Sequence, residues 1–120
     1  MEVIAKGFKL GSEKYHELHL SLINCILPKK MTPKEVEVIA AFMSLKGDIK
    51  VDQFGATARK IVRDRLGLSY AGLSNHMSSL LEKGFLIEKE GRIIILPLLI
   101  PEKKIQLYQF KLENADEAIT

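Results

Sequence analysis

The sequence predicts an α+β fold, mainly α, and three observations predict it. Thr32-Pro33-Lys34-Glu35 has the form of a capping box with proline at the first helical position, and Val36, Ile39, Ala40 and Met43 follow at helical spacing. Two more helical stripes, Ile61, Val62, Leu66 and then Leu73, Met77, Leu80, Leu81, are separated by no more than Gly67-Leu68-Ser69. Two runs rich in β-branched and apolar residues, 85–88 and 92–96, flank Lys89-Glu90-Gly91 and read as a β-hairpin.

Taken in order, residues 3–10 place Ile4, Phe8 and Leu10 on one alternation parity and read as a short strand ended by Gly11, although Lys6 interrupts it. Ser12 offers an N-cap for a helix over 13–27, whose Tyr15, Leu18, Leu22, Ile23 and Ile26 recur at helical spacing until Pro28 stops it. Lys29 and Lys30 form the link to the helix of the capping box, expected over 33–46 with Gly47 turning left-handed to end it. A polar connection, 48–53, leads to a helix over 56–66 with Arg59 and Arg63 one turn apart on its outside. Gly67 closes that helix, and Ser69 caps the next, 70–83, which Gly84 ends. Its polar side carries Ala71, Gly72, Asn75, Ser78, Ser79 and Glu82. Pro97 and Pro101 bracket Leu98-Leu99-Ile100 as a stiff extended crossing. Residues 105–112 alternate Tyr108, Phe110 and Leu112 against Gln109 and Lys111, predicting a last strand that pairs with the first. The end, 113–120, is expected to fray or to form a loose helical turn.

With 120 residues, 47% of them hydrophobic, the chain has the size and apolar content of one compact domain. We divide it into an N-terminal strand and helix (1–31), a core (32–97) and a C-terminal strand and tail (98–120). No apolar run approaches the length a membrane helix needs, and no basic start with an apolar run marks a secretion signal, so the expected location is the cytoplasm or nucleoid. Cys25 is the single cysteine and has no internal disulfide partner; in its apolar segment it reads as a small core hydrophobe. The net charge of +3 permits a polyanionic partner without demanding one. Its distribution is more telling: Arg59, Lys60, Arg63 and Arg65 crowd one segment against Asp64 alone, while Glu113, Asp116 and Glu117 make the tail acidic.

The stretch from Leu68 through Ser69-Tyr70-Ala71-Gly72-Leu73-Ser74-Asn75-His76-Met77 to Lys83-Gly84-Phe85-Leu86 resembles the recognition helix and following wing strand of winged helix-turn-helix regulators, particularly the MarR-like and replication-initiator-like groups. The likeness runs over 32–96. It implies a winged helix-turn-helix with a β-hairpin wing and an added N-terminal strand and helix. It implies double-stranded DNA as partner and a role as transcriptional regulator or replication accessory of a phage, mobile element or bacterium.

Physical chemistry assigns the residues of such an interface. A helix entering the major groove needs small or hydrogen-bonding side chains on its outer face. Ala71 and Gly72 permit close approach, Ser74, Asn75 and Ser78 supply donors and acceptors, the Asn75 amide suits adenine, and the cap Ser69 is counted with the DNA-binding residues. Arg59, Lys60 and Arg63 are expected on phosphates, with Lys89 and Arg92 at the wing tip reaching the neighbouring backbone or minor groove. The helix 70–83 has no arginine, and its one lysine, Lys83, stands at the far end; this favours a rival reading as a structural or adaptor protein, such as a phage particle component in the virion, docking on another protein. The mark of that rival is an apolar patch on 3–10 and 105–112. The helix 13–27 is apolar on more than one face, so it is either buried centrally or forms a homodimer seam, and central burial is the preferred reading. His16 and His19 stand one turn apart without a third ligand at matching spacing, so no metal is expected. No phosphate loop, nucleophile elbow or paired carboxylates appear, so the chain reads as a non-enzyme without cofactor.

Overall fold

The computed structural model describes residues 7–102 and 104–116. It is a mainly helical α+β arrangement of five helices and one two-stranded antiparallel hairpin: α1 (Ser12–Asn24), α2 (Pro33–Met43), α3 (Asp48–Val51), α4 (Ala56–Leu66), α5 (Tyr70–Lys83), β1 (Leu86–Lys89) and β2 (Arg92–Ile95). A short 3-10 turn, Pro97–Leu99, follows.

Helix α2 is the centre. The expected capping box forms, with the Glu35 amide donating to Thr32 Oγ1 at 3.2 Å and the Thr32 amide donating to Glu35 Oε1 at 2.8 Å. The expected inward residues Val36, Ile39, Ala40 and Met43 are buried, and so are Val38, Ala41 and Phe42, so the second half of the helix is enclosed while Lys34 and Glu37 keep the first half open to solvent. It packs against α1, α4 and α5. Ser44 follows the last helical residue and Gln53 Nε2 donates to the Phe42 carbonyl at 2.9 Å, which satisfies the end three residues before the expected stop. Gly47 therefore does not close α2; with φ 64° it opens α3 inside what was expected to be plain connection.

Around α2 the core gathers Leu20 and Leu27, then Phe54, Ala58 and Val62, then Leu73, Met77 and Leu80, and finally Phe85, Leu86, Ile95 and Leu99. The stripe expected on α5 is thus the buried one, apart from half-buried Leu81, whereas on α4 Val62 is fully buried and Ile61 and Leu66 only partly. The hairpin pairs Leu86 with Ile95, Ile87 with Ile94, Glu88 with Ile93 and Lys89 with Arg92. Its two turn residues, Glu90 and Gly91, both have positive φ, 53° and 76°, as the tightest hairpin turn matched to strand twist requires.

Several expectations are corrected. Helix α1 begins at Ser12 itself, with Gly11 as an N-cap lacking side-chain help, and it ends at Asn24 because Lys30 Nζ donates to the Asn24 and Cys25 carbonyls at 2.9 Å each. Cys25 is exposed rather than in the core, since it falls just past the end of α1. Of the strand expected over 3–10, residues 1–6 lie outside the described residues, and 7–10 form no strand and are exposed. Residues 105–112 are not a strand either, because no described segment supplies the ladder partner a strand needs. The crossing after Pro97 is a 3-10 turn: proline fixes the first helical φ, and Leu99 and Ile100 donate to the Leu96 and Pro97 carbonyls at 2.9 and 3.0 Å. The turn carries Leu99 into the core. Residues 115 and 116 form a turn, and 117–120 lie outside the described residues.

Candidate nucleic-acid interface

The geometry between α4 and α5 is set by three residues. Gly67 takes φ 67°, a left-handed value that lets Leu68 N–H donate to the Arg63 carbonyl at 2.9 Å and ends α4 abruptly. Ser69 then caps α5, its Oγ accepting from the Gly72 amide at 2.9 Å. Gly72 has a structural use beyond close approach, because a Cβ there would sit 3.1 Å from Ser69 Oγ and press on the cap. The result is two helices joined by a three-residue turn, with the second projecting its outer face away from α2.

On that outer face Ala71, Asn75 and Ser78 are exposed, while Gly72 and Ser74 are half-buried. No described strand covers it. The one carboxylate of the helix, Glu82, is exposed in the last turn, far from the N-terminal residues. Lys83 is withdrawn from the surface: its Nζ lies 2.6 Å from Glu35 Oε1 and donates to the Lys30 carbonyl at 3.0 Å. Burial opposes the Glu35 charge, but the Lys83 ammonium, the Thr32 amide and the Ser79 hydroxyl outweigh it and hold the carboxyl below its ordinary range.

The neighbouring arginines are oriented rather than loose. Arg59 Nε donates to the Phe54 carbonyl at 2.7 Å, which restrains the plane of the half-buried guanidinium. Arg63 places its guanidinium carbon 5.3 Å from the centre of the Tyr70 ring. Together with Ala56 these four residues line an open cleft of about 320 Å³ between the start of α4 and the start of α5. Neither arginine has a carboxylate partner among the described residues. Lys60 by contrast pairs with Asp64 at 3.4 Å, both exposed, and so offers less free charge. Arg65 reaches Glu13 at 3.6 Å and ties α4 to α1.

At the wing tip Lys89 and Arg92 are exposed and directly opposite in the register. Like charges in that position oppose hairpin stability, and Glu90 in the turn only partly offsets them. The structure thus brings Arg59, Arg63, Ser69 and the α5 face together, while Lys89 and Arg92 stand on a separate projection. Tyr70, exposed and stacked with Arg63, escaped the sequence reading; an aromatic at the first position of a helix, seven residues past Arg63, was its one signal.

Of the histidines of α1, His19 is built into the packing. His19 is buried, with Nε2 3.1 Å from the Leu99 carbonyl and Nδ1 hydrogen-bonded to the Tyr108 hydroxyl. A carbonyl only accepts, so Nε2 carries the proton and Nδ1 accepts from Tyr108. Burial holds the His19 pKa below its ordinary value against the pull of the Leu99 carbonyl, and burial raises that of Tyr108, so both stay neutral. Away from α5, Phe8, Leu10, Ile26, Ile105, Leu107, Phe110 and Leu112 are exposed.

No known protein family, curated protein or solved structure matches this chain. Among the described residues no helix is long and apolar enough to cross a membrane.

Proposed function

We propose that this chain is a winged helix-turn-helix DNA-binding protein, with α5 as the major-groove helix, α4 beneath it and the β1–β2 hairpin as the wing. The observation that carries the reading is the uncovered polar face of α5, small at Ala71 and Gly72 and amide-bearing at Asn75, beside two oriented and unneutralised arginines. The order α2, α3, α4, tight turn, α5, hairpin is that of the winged helix. Arg59 and Arg63 contact phosphates, Lys89 and Arg92 contact the flanking backbone, and Ser74, Asn75 and Ser78 read base edges. A regulator or replication accessory is the role such an interface serves.

Titration of duplex DNA at several salt concentrations tests this. Release of counterions from three or four phosphates gives a slope of log affinity against log salt of about −3 to −4. Absence of binding at low ionic strength overturns the proposal.

One observation favours a second reading, in which the chain docks on another protein. Phe8, Leu10, Ile105, Leu107, Phe110 and Leu112 are all exposed, and they are the residues on which an adaptor's apolar patch was expected. Stable co-purification of a single partner that Leu107→Ser and Phe110→Ser abolish, together with no DNA binding, supports it over the first.

A further inference from the structure

The cleft between the starts of α4 and α5 has the make-up of a small-ligand site. Arg59 and Arg63 stand four residues apart on one helix, a spacing that brings side chains together, and both line this one cavity with Phe54, Ala56 and Tyr70. The terminal N–H groups of Arg59 and all those of Arg63 have no acceptor among the described residues, and no carboxylate lines the cleft. Two guanidiniums so placed are balanced by one dianion. A backbone diester brings a single charge, whereas a terminal phosphate carries about −1.5 to −2 at neutral pH.

The rest of the cleft suits what hangs from such a phosphate. Its volume of about 320 Å³ exceeds what a phosphate fills and lies at the lower end of small-ligand sites, about 300 to 1,000 Å³. Phe54 and Ala56 give it an apolar wall. Tyr70 is 68% exposed, so ring surface remains after Arg63 has covered part of it. An intact duplex shows base edges in its grooves and hides base faces in the stack, so the Tyr70 ring stacks only on an unpaired base.

We infer that this cleft is a nucleotide site, taking a nucleoside monophosphate with its phosphate on Arg59 and Arg63, its sugar against Phe54 and Ala56, and its base on Tyr70. A free nucleotide and the phosphorylated end of a strand share this chemistry. The site rests on the phosphate-binding role proposed above for the two arginines and not on base readout by α5. Its occupant competes with duplex DNA for the same two cations.

Titrating the isotope-labelled full chain with adenosine monophosphate, adenosine and inorganic phosphate in turn tests this. The monophosphate binds at least about tenfold more tightly than either fragment, with amide shifts centred on residues 54–72. Tyr70→Ala weakens the monophosphate about tenfold and affects inorganic phosphate far less, while Tyr70→Phe behaves as the parent chain. Arg63→Gln weakens both anions. Displacement by a single strand with a terminal phosphate separates the sources: a strand tighter than the monophosphate assigns the strand end, and a weaker one assigns the free nucleotide. Equal displacement by the same strand ending in a hydroxyl, or a monophosphate held no better than inorganic phosphate, overturns the proposal. A hydroxyl-ended blunt duplex that binds with the expected salt slope while the monophosphate does not bind removes this site and leaves the DNA reading standing. Monophosphate binding without duplex binding does the reverse.

Discussion

Arg63 in α4 lies over the ring of Tyr70, the first residue of α5, at 5.3 Å, so a cation and an aromatic face lock the two helices of the turn at their junction. The guanidinium is thereby held at the mouth of the cleft, with its edge nitrogens free for a phosphate.

Arg63→Ala should weaken binding to every duplex to a similar degree and reduce the salt slope by about 1. Asn75→Ala should instead lose about 1 to 3 kcal/mol of discrimination at one base pair, with the salt slope unchanged. Competition binding across a set of single-base variants separates the two. If both changes act alike on all sequences, the division between phosphate and base contacts is wrong.

Removing Lys83 should cost stability. Glu35 is almost completely buried and its Oε1 faces the ammonium, so Lys83→Met leaves a buried carboxylate without its cation, a loss of about 2 kcal/mol after allowance for the partly exposed lysine. Glu35→Gln, which keeps an acceptor for the Thr32 amide, should cost less. Urea denaturation orders the variants, and a Lys83→Met protein as stable as the parent removes the pair from the account.

Stability should fall in acid. Burial, helped by the charges of Lys50 and His19, puts His16 below its ordinary value of 6.5, and burial does the same for His19. The unfolded chain therefore takes up these protons first, so the stabilisation is complete above about pH 6.5 and is lost as pH drops below it. Glu35, held below its ordinary 4.5, adds a further loss beneath that value. Unfolding free energies measured from pH 7.5 down to 5 should decline, and His19→Gln should flatten part of that decline. A level profile over this range would refute the assignment of neutral buried imidazoles.

Glu90→Asn should stabilise the hairpin by up to about 0.5 kcal/mol, because asparagine tolerates the positive φ that Glu90 adopts before Gly91, a gain reduced by losing the charge that offsets Lys89 and Arg92. It also removes the one negative charge between Lys89 and Arg92 in the turn, so tighter DNA binding should accompany the gain. Thermal melting and duplex titration of the same variant check both effects.

Legibility in the sequence followed local chemistry. Helices α4 and α5 were readable to the residue because Gly67, Ser69 and Gly84 punctuate them, and the start of α2 because Thr32 and Glu35 satisfy each other's amides. Its end was not, since Gln53 closes it from eleven residues away. Alternation over 105–112 is a real pattern, yet a strand depends on a neighbour that no local pattern contains. For the candidate site, the positions of Arg59, Arg63 and the polar α5 face followed from helical periodicity. The tether to Phe54, the Tyr70 stack and the withdrawal of Lys83 are tertiary facts and left no local trace.

That withdrawal has a consequence for recognition. With its single lysine turned inward, α5 would, in the proposed complex, offer a groove hydroxyls, one amide and bare backbone over its first turns, its one carboxylate, Glu82, standing in the last turn. Ionic strength should then scale how tightly the protein holds any duplex while leaving the ranking of preferred sites nearly untouched, so that strength and choice are adjustable independently on different elements of the same small scaffold.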